Sequence, residues 1–486
     1  MSTSDQHPAN LSTAEKRALL EQILRKKVSK PKSYPLSYAQ QRFWFLDQWE
    51  PGSSFYNVPL ALKLTGTLHI AALERSFNAI VQRHSVLRAT FAMEHGQPVQ
   101  IIAPRLTLSL PVVDLSGTSC SPDDENEIAQ DLALQRSIAL EGQKAFDLQH
   151  GPLIRTTLVR LSTHEHVLLL TMHHIVSDIW SMRLLFHEVA VLYEAYATGK
   201  EAHLPELPIQ YTDFASWQRQ WLEKPAKEGR SPQEIQLAYW QEQLAGVPPV
   251  LDLPTDHPRP VVQTFRGAHH VFTLPVSLSR QMQALSRQER VTPFMILLAA
   301  FQVLLARYSS QADIVVGTPV TNRTRTELEN VIGCFVNTLV LRAQFSDRLT
   351  VRELLQQVRD TTLGAHAHQD LPFEKLVEVL HLDRDQSRNP LFQVMFILQN
   401  AAQEAVDLAG LTLQPLAMET GTVKFDMSLM ISESETGLEG ELGYNLDLFE
   451  PATIERLLRH FQTLLHGLVQ NVEQRVADLP LLNAPE

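Results

Sequence analysis

The sequence predicts an α/β protein built from two mixed halves, and three observations carry that expectation. At 486 residues the chain exceeds the roughly 250–300 residues at which a single hydrophobic core stops growing. Strand-like runs alternate with helix-period stretches on both sides of the middle. Between them lie Pro205 and Pro208, then Pro248, Pro249, Pro254, Pro258 and Pro260, a density that favours an extended, stiff connection over the surface. Two halves of similar size suggest a pseudo-dimer.

Taken in order, residues 1–33 read as an appendage. Ser12, Thr13, Ala14 and Glu15 form a capping box, followed by the apolar stripe Leu19, Leu20, Ile23 and Leu24 and a lysine-rich end, which together describe a docking or linker helix. A first lobe is expected over 34–204, with a helix near 71–84 and strands near 106–113, 153–161 and 167–172. Residues 205–264 form the proline-rich connection. A second lobe is expected over 265–475, with strands near 269–272, 314–317, 339–343, 393–398 and 438–444. Its helices fall near 293–308, 351–368 and 451–469. Thr292 as N-cap and Pro293 at the first helical position start the most apolar of these, which is too short for the ~20 residues of a bilayer crossing and so belongs to a core. Residues 476–486 read as the start of a linker.

Composition narrows the function. A net charge of −12 argues against nucleic acid as a partner, and the hydropathy pattern gives no membrane segment. Cys120 and Cys334 are the only cysteines, which excludes a disulfide framework and fits a reducing cytoplasm. The N-terminus carries no secretory signal pattern. His366 and His368 stand two apart on an expected helix and face different sides, so no metal site is expected.

One stretch concentrates chemistry. His173 and His174 are followed by Asp178, and the apolar run before them with the helix-period leucines after them places the group where a buried strand passes into a helix. A rigid scaffold commonly presents catalytic groups at such a junction.

Around this stretch the chain resembles the condensation domains of nonribosomal peptide synthetases, relatives of chloramphenicol acetyltransferase. Ser37 to Leu46 is similar to the family's opening motif and Arg83 to Phe91 to its second. His173 to Ser181 corresponds to HHxxxDG, Tyr211 to Trp217 to the segment after it, and Ile332 to Thr338 to G-x-F-V-N-T. His368 to Phe373 and Arg384 to Leu391 complete the series. Glu50 to Ser53, Phe55 to Asn57 and the Trp180-Ser181 ending resemble the subtype joining an L-donor to an L-acceptor.

The resemblance implies two acetyltransferase-like lobes in a V-shaped pseudo-dimer, with the active site in a tunnel between them. It implies peptide-bond formation between a donor acyl thioester and an acceptor aminoacyl thioester. No cofactor is bound intrinsically; phosphopantetheine arrives on upstream donor and downstream acceptor carrier proteins. An adenylation domain is expected beyond the C-terminal linker, and the N-terminal helix is expected to dock an upstream synthase. His174 is then the ring that faces substrate, as base or amine-positioning group. His173 fixes the local backbone, and Asp178 is structural, paired with Arg88 or Arg323. Asn337, Ile179 and Trp180 are expected along the substrate channel. Ile179 stands where the family has glycine, so the loop keeps ordinary angles or carries strain. An altered, recruiting domain and an ester-forming enzyme are the competing readings.

Overall fold

The computed structural model describes residues 31–119, 124–225, 229–380, 385–399, 408, 410–416, 418, 421–434 and 437–482. The expected N-terminal helix, Cys120 and Arg384 lie outside the described residues.

The chain divides into two compact units. The first comprises Met1–Trp217, Arg325–Cys334 and Asp407–Leu416, and the second the remainder. This corrects the simple division at 204 and 265. The chain returns to the first unit twice, and the boundary falls inside the helix Tyr211–Glu223.

In the first unit the strands are β1 (Lys32–Pro35), β2 (Asn57–Gly66), β3 (Ala89–Glu94), β4 (Gln97–Ile102), β5 (Val112–Asp114), β6 (Ile154–Arg160) and β7 (Glu165–His173). A small sheet has the order β1-β4-β3. The main sheet has the order β12-β2-β7-β6-β5, where β12 is Leu411–Leu416. The central β7 is buried from His166 to His173, which explains its continuous apolar run: both faces are covered. Helix Ile70–Arg83 buries Leu73, Phe77, Ile80 and Val81 at helical spacing. Of the strand expected near 106–113 only its end is realised, in β5; Leu108 and Leu110 are buried but their backbone joins no ladder.

The second unit contains β8 (Gly267–Pro275), β9 (Asp313–Val320), β10 (Asn337–Gln344), β11 (Val394–Gln399), β13 (Met427–Ser434) and β14 (Gly437–Asn445), in the order β10-β9-β11-β13-β14-β8. Helix Pro293–Ser309 is buried continuously from Met295 to Leu305, and its Thr292 cap accepts from the Met295 N–H. Helix Pro451–Gln470 buries one stripe, from Ile454 through Leu468. No single described helix is long and apolar enough to cross a membrane.

Two expectations need correction here. The proline-rich region is not extended throughout, because it holds the helices Tyr211–Glu223 and Pro232–Gln243. Ser231 and Glu234 close a capping box over Pro232 at the start of the latter. The segment from 476 is not simply a linker either. Val476 and Leu479 are buried, and Arg307 donates to the carbonyls of Val476, Ala477 and Leu479.

Candidate active site

The site is built at the end of β7. In the ladder Asn57 pairs with His173, so β2 begins where β7 stops. Beyond it the His174 N–H still donates to the Tyr56 carbonyl at 2.9 Å. The chain then makes a short 3-10 turn over His174–Val176 and enters the helix Ile179–Thr198.

His173 is buried, and its Nδ1 accepts from the Ile175 N–H at 3.1 Å, tying the ring to the turn. The ring also meets Phe146 edge-on, with centroids 6.0 Å apart. His174 is half-buried. Phe43, from helix Tyr38–Trp49, stacks on it with centroids 4.7 Å apart and planes 20° from parallel. Tyr56 meets Phe43 edge-on at 4.9 Å. Burial raises the Tyr56 phenol above its ordinary range; Arg42 opposes that rise and Glu50 adds to it.

Asp178 is the N-cap of the helix: its Oδ1 accepts from the Ser181 N–H at 2.7 Å. Ile179, directly after the cap, is a helical residue outside the positive-φ set. Of the two alternatives for the missing glycine, the loop keeps ordinary angles. Its side chain is 63% exposed. Trp180 is tethered by its Nε1–H, which donates to the Glu329 carbonyl at 2.8 Å.

The segment Arg325–Cys334 belongs to the same unit and is fixed from several sides. The Ser181 hydroxyl donates to the Gly333 carbonyl at 2.8 Å and accepts from the Gly333 N–H at 3.0 Å. Tyr211 donates to the Cys334 carbonyl at 2.5 Å, and its oxygen lies 2.7 Å from the Ser37 hydroxyl. His84 Nδ1 accepts from the Ile332 N–H at 3.3 Å. On the other edge of that ring Nε2 meets Glu188 at 2.9 Å, and Arg83 grips the other oxygen of Glu188 at 2.9 Å. Burial pushes the Glu188 carboxyl up, but the hydrogen bonds and charges of His84 and Arg83 outweigh it and hold the group below its ordinary value. The outcome is that Cys334, fully buried, places its Sγ 3.8 Å from His174 Nδ1.

Arg88 does not pair with Asp178. Its Nε donates to Ala103 O, and its Nη1 to Val81 O and Gln82 O. Among the described residues it meets carbonyls and no carboxylate, and burial lowers its pKa. Arg323 stacks over the Phe335 ring, 4.0 Å from its centroid. Asn337 is buried, and its amide bonds to backbone groups. Nδ2 donates to Gln369 O at 2.8 Å and Leu371 O at 2.7 Å, and Oδ1 accepts from the Phe373 N–H at 3.0 Å. These three bonds secure the 369–373 turn. Among the described residues no cluster of three or more His, Cys, Asp and Glu side chains gathers as a metal site would.

Sequence reasoning singles out neither Phe43, inside the opening motif, nor Cys334, the variable position of its own motif, as a partner of His174. Their signal was membership of motifs; their contact with His174 has none in the sequence.

Comparisons with known proteins bear on the family and the fold. The chain is 48% identical over 461 residues to one of the linear gramicidin synthase proteins of Brevibacillus parabrevis, covering 94% of this chain and 9% of that protein. It is 42% identical over 455 residues to phosphinothricin tripeptide synthetase PhsC of Streptomyces viridochromogenes, covering 93% and 40%. The chain therefore spans less than half the length of these relatives. The crystal structure of the X-domain from teicoplanin biosynthesis matches with a TM-score of 0.83 at 28% identity, over 93% of this chain and 98% of that one. The α/β architecture is thus that of the acetyltransferase-like condensation fold. With the family model described as Condensation domain matching residues 30–486, and with the histidine pair, the capping aspartate and the Gly333 segment assembled as one site, the chain belongs to the condensation-domain family.

Proposed function

We infer that this chain is an acyltransferase that forms a peptide bond between two carrier-bound thioesters. The observation that carries the reading is His174, held at the strand-to-helix junction by Phe43, the Tyr56 carbonyl and Cys334.

A thioester carbonyl is already activated, so holding amine and carbonyl together supplies much of the rate. The neutral amine of the acceptor attacks that carbonyl. The C–N bond forms, the C–S bond breaks, and the departing pantetheine sulfur takes a proton. The amine nitrogen sheds one proton as it becomes an amide, and His174 takes it up and passes it to the departing sulfur. An imidazole with an unperturbed pKa near ~6.5 is mostly neutral at physiological pH and suits that task. His173 and Asp178 hold the turn and the helix start that present His174. Ile179 and Trp180, beside the aspartate, line the path of the substrates.

By the same reading phosphopantetheine enters on donor and acceptor carriers, an adenylation domain lies beyond the C-terminal segment, and the N-terminal segment docks an upstream synthase. The name tripeptide synthetase of one relative supports this setting. The acidic composition and sparse cysteines support a cytoplasmic location.

The test loads both carriers with aminoacyl-pantetheine and follows condensed product by intact-protein mass spectrometry. His174→Ala should lower the rate ~10²–10⁴-fold, the usual worth of general-base catalysis. A wild-type domain that yields no product with any pair of loaded carriers would overturn the reading.

A further inference from the structure

Cys334 is firmly anchored beside His174, although no substrate chemistry requires a thiol there. Its backbone is clamped on both sides, through Gly333 to Ser181 and through its own carbonyl to Tyr211. The main chain thus fixes the Cα and Cβ of Cys334, and Phe43 stacks on the facing ring. Sγ lies 3.8 Å from Nδ1, within the reach of the large sulfur atom. A thiol sulfur is a weak acceptor. It can take the Nδ1 hydrogen of both the neutral ring and the imidazolium.

We propose that Cys334 is a positioning residue for His174, its sulfur accepting the Nδ1 hydrogen and so leaving Nε2 as the nitrogen that receives the proton of the attacking amine. The proposal rests on the amide-forming reading above and adds the tautomer on which that reading depends. Neutral sulfur also suits the task better than a carboxylate. A negative charge at Nδ1 would raise the ring's pKa and keep it protonated at neutral pH, whereas a thiol orients the ring and leaves it able to accept. Titratable and charged groups on the elements that carry these residues include His173, His166 and Glu165 on β7, Asp178 at the helix start, Asp47 on the helix of Phe43, and Arg325, Glu327 and Glu329 on the segment of Cys334. Tyr56 precedes β2, and Arg42 lies beside Phe43.

Two measurements test it. In the first, nitrogen-15 imidazole spectra of the full chain alone are recorded against pH, with the His174 signal identified by its loss in His174→Gln. The wild type should show the Nδ1–H tautomer. Cys334→Ala should show a mixture of tautomers and a lower His174 pKa, because an acceptor that favours the imidazolium has gone. Identical spectra in the two proteins, or an Nε2–H tautomer in the wild type, would overturn the proposal. In the second, Cys334→Ala should lower kcat roughly 10-fold with the acceptor-carrier KM unchanged, and should move the acid limb of the pH profile to lower pH. Cys334→Ser, which keeps an acceptor, should recover most of the loss. Equal losses in both variants with an unmoved acid limb would reduce Cys334 to a packing residue. If Cys334→Ala does not fold, the serine variant must still show the Nδ1–H tautomer, and its absence counts against the proposal. If wild type makes no product, the functional reading fails while the tautomer measurement still decides Cys334.

Discussion

Gly333 has no room for a side chain: a Cβ there would sit 1.9 Å from the Tyr211 ring. That close approach lets Tyr211 reach the next carbonyl and Ser181 reach both backbone groups of Gly333. Gly333→Ala should therefore displace the ring or the segment at a cost of about 1–3 kcal/mol, the usual penalty of overpacking, read as a lower urea midpoint. A larger fractional loss should appear in condensation, because the segment carries Cys334. Ile179 is the opposite case. Its side chain is largely exposed at a first helical position with ordinary angles. Ile179→Gly should change stability by no more than ~1 kcal/mol, the helix-propensity difference, and a large loss would show that the isoleucine packs on something essential. At this scale the sequence displays the histidine pair and the aspartate because they are contiguous. Cys334 and His174 are 160 positions apart, and Gly333 and Ser181 are 152 apart. No periodicity reports a contact of that separation.

Among the elements, those with local signatures were legible. Thr292 and Pro293 announce the helix Pro293–Ser309, and the run before His173 announces β7. The helix Asp124–Gln143 was not legible, because Ile128, Leu132 and Leu140 are exposed while Leu134 and Ile138 are buried. Its apolar residues do not trace one face, so the helix period is blurred. Asn337 shows the same limit in a motif residue, since its place in the sequence pointed to substrate and its partners are the backbone of 369–373. The turn is further held by Gln236, whose Oε1 accepts from the Leu371 N–H at 2.7 Å, and by the Tyr239 ring stacked on His368. Asn337→Ala strips one acceptor from Phe373 N–H and a donor from each of two carbonyls. Two of these groups, Leu371 O and the Phe373 N–H, are buried, and at about 1–3 kcal/mol for each buried group left unpaired the expected loss is at least about 2 kcal/mol in urea denaturation. Carrier-loaded turnover by the protein that remains folded should change little; a selective rise in KM would return Asn337 to the substrate path.

At the scale of the whole molecule, the chain leaves the first unit and returns to it at Arg325–Cys334 and again at Asp407–Leu416. Each return closes something the earlier residues leave open. Arg325–Cys334 brings the Ile332 N–H to His84, which is tied to Glu188 and Arg83. The Glu188 carboxyl is held below its ordinary 4.5, so its contribution to stability is present above that value and disappears as pH falls through the lower folded value. Wild type should exceed Glu188→Gln in stability at neutral pH, with the gap closing on acidification below 4.5; a gap that widens there would reverse the sign. The second return supplies β12, which pairs antiparallel with β2 from Leu411 to Leu416 against Ala61 to Gly66. Gly66 turns with positive φ, and a Cβ there would meet the Gly410 carbonyl at 2.6 Å, so the two strands close tightly at that end. A chain ending at residue 217 would keep the histidines, their strand and their helix. It would expose the whole edge of β2 as unpaired N–H and C=O groups, the arrangement that templates aggregation. It would also leave the Ser181 hydroxyl and the Tyr211 phenol without Gly333 and Cys334. Such a truncation should be recovered as aggregate or with fast amide exchange along β2 and β7. Adding residues 325–334 and 407–416 back through short linkers should slow that exchange. If the truncated chain is monomeric with native protection in β7, the returning segments are ornaments on a unit that folds without them.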